Sequence, residues 1–154
     1  MSQDDSWLSR AVMDLLACAA TGDTAGVRDA LEAIVRERNA SGVWALCCAM
    51  ADTVTTLGLG VRQGEGFAAV QLATGSGEPV EPENWPPQAR PQLWATRFVA
   101  AHVNGDMDTS YALFLSTMPD PQQHMAGVAA LIGLAGRVVR ADLHRKMPGA
   151  GHEC

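Results

Sequence analysis

The sequence predicts a mainly α protein: about six helices forming two similar three-helix halves, joined by a Pro/Gly-rich linker that carries a short β-hairpin. Three observations carry this expectation. Apolar residues recur at helical spacing through both ends of the chain. The stretch between them is broken by proline and glycine. A Gly-Asp pair that opens a helical segment occurs once in each end. A chain of 154 residues is long enough to bury a core without disulfides or metals. The expected organisation is one helical domain over 1–147 followed by a flexible tail, 148–154.

The first half spans 6–58. Asp5 or Ser6 caps a helix over Trp7–Ala20, in which Leu8, Val12, Leu15, Leu16 and Ala19 form one apolar stripe. Gly22 ends it and Asp23 caps a second helix, which runs to Arg38 with Val27, Leu31, Ile34 and Val35 inward. Ser41 caps a third, Val43–Leu57, apolar almost all round and therefore central, and stopped by Gly58 and Gly60.

The linker spans 59–90. Phe67–Leu72 has strand character, Thr74-Gly75-Ser76-Gly77 is a turn signal, and Glu78-Pro79-Val80 returns as an edge strand. Trp85-Pro86-Pro87 is extended, because a residue before proline avoids the helical region.

The second half spans 91–146. Its first helix runs from Pro91 or Gln92 to Val103 with Trp94, Phe98 and Ala101 on one face. Asn104-Gly105-Asp106 turns the chain into a helix over Thr109–Thr117, with Tyr111, Phe114 and Leu115 pointing inward. After Pro119-Asp120-Pro121 the last helix covers Gln122–Arg145. Gly22-Asp23 matches Gly105-Asp106, and Ser41–Val54 aligns with Ala126–Val139, so the halves read as an internal repeat packed about a pseudo-twofold axis.

Seventeen acids oppose eleven bases, a formal net charge of −6. That charge repels nucleic acid and anionic bilayers at long range. The longest uninterrupted run of apolar residues and glycine, Met125–Gly136, is shorter than the roughly 20 residues of a membrane span. The acidic N-terminus lacks a signal-peptide pattern, so a soluble cytoplasmic protein is expected. The preference for Arg over the single Lys146 reads as GC-rich coding, as in a bacterium or its phage.

No pattern of catalytic or metal-binding residues stands out. Gly58-Leu59-Gly60 and Gly64 follow a helix rather than a strand, which is the wrong context for a dinucleotide loop. Cys47 and Cys48 are adjacent on a helix and diverge by about 100°, which suits buried apolar residues better than a chelate. The sequence therefore predicts no catalytic residue, no metal and no cofactor. The candidate binding residues are Trp85 in the linker, the cluster His102, Asp106 and Tyr111, and the basic pair Arg137 and Arg140, which heads a stripe with His144.

The expectation is a non-enzymatic protein that acts on a protein partner or on itself, as a homodimer. The alternative is a sensor or enzyme with a small-molecule pocket between the halves, lined by His102, Asp106 and Tyr111.

Overall fold

A computed structural model describes residues 3–60, 72–73, 79–81, 84 and 86–147. The chain divides into two compact units, residues 1–60 with 132–154, and residues 61–131.

The first unit is built on α1 (Gln3–Thr21) and α2 (Thr24–Thr53), which pack as a helical hairpin. The connection is local chemistry. Gly22 takes φ +78, which costs glycine little, and Asp23 accepts the Gly26 N–H at 2.9 Å as the N-cap of α2. Gly26 sits close under two side chains, since a Cβ there would crowd the Asp23 carboxylate and stand 2.7 Å from Cys18 Sγ. Leu15, Ile34, Val43, Leu46, Cys47, Met50 and Ala51 are buried, together with Ile132 and Ala135 of α5 (Pro121–Lys146), whose residues 132–146 belong to this unit.

α2 does not stop where a break was expected. It kinks at Asn39 (φ 53, ψ −144) and resumes at once, and Ser41, instead of capping a new helix, donates its hydroxyl to Arg38 O at 2.8 Å. Nor does Gly58 end the helix. The chain passes into a π-helical turn, Val54–Leu59, closed by Gly60 at φ +68. By length and composition alone, Thr24–Leu59 could cross a membrane, with a mean hydropathy of 1.4 over its best 18-residue window. Val43, Leu46, Cys47, Met50, Ala51 and Val54 of this stretch are buried within the first unit, as on the inner face of a core helix, and no clear membrane-spanning arrangement results.

The second unit contains α3 (Arg90–Val103), α4 (Met107–Thr117) and residues 121–131 of α5. Trp94, Ala95, Phe98, Val99, Ala101, Val103, Phe114, Val128 and Leu131 are its buried apolar residues. Gly105 (φ +72) and Asp106 repeat the turn chemistry of Gly22 and Asp23, with Asp106 accepting the Thr109 N–H at 3.0 Å.

The expected architecture is corrected in two respects. Among the described residues the fold is all-α, with five α-helices. Within the linker, residues 72–73 and 79–80 form only a two-residue antiparallel pairing, Leu72 opposite Val80 and Ala73 opposite Pro79, and no sheet layer exists among the described residues. The two similar halves are also absent. Residues 132–146 group with the first sixty residues rather than with α3 and α4, and α5 is one continuous helix where α2 is kinked. The likeness of the Gly-Asp turns reflects what a tight helix–helix connection demands, and it does not extend into the helices.

Candidate functional site

α4 is an unusual helix. Its inner face is Ser110, Phe114 and Thr117, all buried, whereas Met107, Tyr111, Leu115 and Met118 (its C-cap) are exposed at 38%, 50%, 44% and 38%. The expectation that Tyr111 and Leu115 point inward is therefore corrected. The buried Ser and Thr are compatible with the interior because each hydroxyl bonds to its own helix, Ser110 Oγ to Asp106 O at 3.1 Å and Thr117 Oγ1 to Phe114 O at 3.2 Å. The four exposed residues fall at steps of four, four and three, so they form one apolar stripe along the helix. Asp108 is the only charged residue in α4.

The rest of the unit holds α4 firmly. At its start, Asp106 accepts from the backbone N–H and the hydroxyl of Thr109, the latter at 2.6 Å. These bonds keep the Asp106 carboxyl below its ordinary range. In its middle, the Trp94 indole donates Nε1–H to Leu113 O at 2.9 Å. At its end, Thr117 Oγ1 lies 2.7 Å from His124 Nδ1 on the first turn of α5. Behind it, the Trp94 and Phe98 rings stack at 5.4 Å, and His124 meets Phe114 edge-on at 4.8 Å. Gly127 lets α5 lie against the indole, because a Cβ there would stand 2.8 Å from Trp94 Cε3.

The residues singled out from sequence have different surroundings. His102 is buried, with its ring parallel to Phe98 at 6.5 Å, while Tyr111 is half exposed and the Asp106 carboxylate is occupied by Thr109. Arg140 donates Nε–H to Ala20 O at 2.7 Å, which makes it a cap for the C-terminal end of α1. Arg145 donates to Leu57 O and Asp142, and Lys146 pairs with Asp142. The basic stripe is thus largely engaged in holding helix ends, and Arg137 is exposed. Trp85 lies outside the described residues, as do the tail 148–154 and most of the predicted strand Phe67–Leu72.

Among the described residues, the surroundings of Cys47 and Cys48 disfavour the thiolate. Burial pushes Cys47 far above the ordinary thiol range, and burial together with Asp52 raises Cys48 to about 11. Among the described residues no group of three or more His, Cys, Asp or Glu could hold a metal. Comparison with known proteins adds no relative: no family model, no curated protein and no solved structure matches the chain.

Sequence reasoning missed Met107, Leu115 and Met118 as surface residues and His124 as a core residue. The signal available was the spacing of Ser110, Phe114 and Thr117, one helical face made of an aromatic ring and two hydroxyls able to bond to their own backbone.

Proposed function

We propose that this small helical protein acts through protein–protein contacts, and that the outer stripe of α4 is the contact face, covered by a second copy of the chain. The observation that supports the reading most is the inversion of α4, which buries Ser110 and Thr117 and exposes Met107, Tyr111, Leu115 and Met118. A helix fixed at its start, middle and end presents such a stripe without an ordering cost, which favours binding.

Self-association fits the pattern of the stripe. Under a twofold axis α4 runs antiparallel to its copy, Tyr111 meets Leu115, and Met107 meets Met118. At the stated exposures the stripe offers on the order of 300 Å² of apolar surface, the size of a functional patch on an ordinary monomer. A stable dimer buries about 800 Å² per partner, so the contact is a weak one. The net charge of −6 opposes it, and salt screens that repulsion. Added salt therefore strengthens this association, the opposite of its effect on nucleic-acid binding.

Sedimentation velocity across a concentration series tests this. Wild-type protein shifts to larger sedimentation coefficients with concentration and with salt, and Leu115→Glu does not. Equal, concentration-independent behaviour of the two proteins overturns self-association through α4.

A further inference from the structure

We infer that His124 is an acid-sensitive latch: its neutral ring fastens the end of α4 to the first turn of α5, and proton uptake opens that corner. The inference does not depend on what covers the outer face of α4.

The geometry is specific. His124 is 9% exposed. Its Nδ1 is 2.7 Å from Thr117 Oγ1, and its ring stands edge-on to Phe114 at 4.8 Å and to Trp94 at 6.5 Å. Thr117 Oγ1 and His124 Nδ1 share one hydrogen bond whose donor follows the ring's tautomer, and Thr117 Oγ1 also lies 3.2 Å from Phe114 O. Proton uptake turns the ring into a cation. The new charge is what the site opposes, since it is buried against rings and sits in the first turn of α5, at the positive end of a helix.

The charged and titratable groups on the elements around it are few. α3 brings Arg90 and Arg97, both exposed, and the buried His102, stacked on Phe98. α4 brings Asp108 and the half-exposed Tyr111, with Asp106 at its cap. Asp120, just ahead of α5, is the one carboxylate close in sequence, and its Oδ1 already accepts the N–H groups of Gln122 and Gln123 at 3.1 Å each. Burial holds His124 below the ordinary histidine value of 6.5.

The sign follows from linkage. In the unfolded chain His124 takes its proton near the ordinary value, whereas in the folded chain it does so only at lower pH. The stability of this corner is fully present above pH 6.5 and is lost as pH falls from there towards the folded value.

Two measurements test the latch. A histidine ring titration by NMR, assigned with His124→Gln, reads the site directly. Hydrogen exchange, corrected for the intrinsic pH dependence, reads the protection of 107–131. The expected result is a His124 midpoint below 6.5 and a loss of protection confined to the end of α4 and the start of α5 on acidification. His124→Gln removes the pH dependence of that protection. Should His124→Gln fail to fold, Thr117→Val serves for the exchange measurement and the wild-type titration stands alone. A His124 midpoint at or above the ordinary value, or an acid-induced opening that persists in His124→Gln, overturns the inference.

Discussion

Arg140 Nε–H donates to the carbonyl oxygen of Ala20 across 2.7 Å, so a side chain from α5 completes the C-terminal end of α1. The neighbouring carbonyls are already served: Thr21 Oγ1 donates to Ala17 O and Cys18 O, and the backbone N–H groups of Gly22 and Asp23 reach Ala19 O and Cys18 O. Arg140 therefore fills a vacancy that helix geometry always leaves. Arg140→Ala is expected to cost about 1 kcal/mol, below the usual value for a charge-assisted bond because the side chain is partly in water. Arg137→Ala should stay within about 0.5 kcal/mol, as exposed substitutions usually do. Urea denaturation of the two variants checks the difference.

Gly133 and Gly136 lie on the same helix and should respond with opposite signs. A Cβ at Gly136 would stand 2.8 Å from the backbone of Ala19, whereas at Gly133 the nearest atom is an Arg137 nitrogen at 3.7 Å. Gly136→Ala forces backbone apart and is expected to destabilise by about 1–3 kcal/mol. Gly133→Ala only removes unfolded-state freedom and is expected to stabilise by about 0.5–1 kcal/mol. Thermal melts of both variants beside the wild type decide this.

The cap of α4 should make stability sensitive to strong acid. Thr109 bonds hold the Asp106 carboxyl below its ordinary value of 3.8. Its contribution is present above that value and disappears as pH falls through the lower, folded one. Asp106→Ala should therefore melt below wild type at neutral pH, and the gap should close under strongly acidic conditions. A gap that stays constant with pH would show that the carboxylate charge contributes nothing to the cap.

Much of the helical framework was legible because its signals are local. Gly22-Asp23 and Gly105-Asp106 announce a left-handed glycine and a capping carboxylate, and both turns form as the residue types require. The run Arg38–Ser41 reads as a break, but Asn39 kinks the helix without ending it, at φ 53 and ψ −144, outside the left-handed helical region that Asn favours. The orientation of α4 was not legible. Apolar periodicity assigns Tyr111 and Leu115 to the core, and only tertiary packing shows that Phe114 takes that place while the hydroxyls of Ser110 and Thr117 bond back to their own helix. His124 was obscure for a related reason: its partners Thr117, Phe114 and Trp94 come from two other helices.

The contact face of α4 is most directly tested by a dilution series on protein labelled at its methionine methyl groups. Met107 and Met118 border the stripe, while Met13 and Met147, exposed at 63% and 70%, lie elsewhere on the chain. The account predicts that the Met107 and Met118 methyl signals move with concentration, more so at higher salt, while those of Met13 and Met147 stay fixed. Signals that all stay fixed, or movement confined to Met13 and Met147, would contradict it.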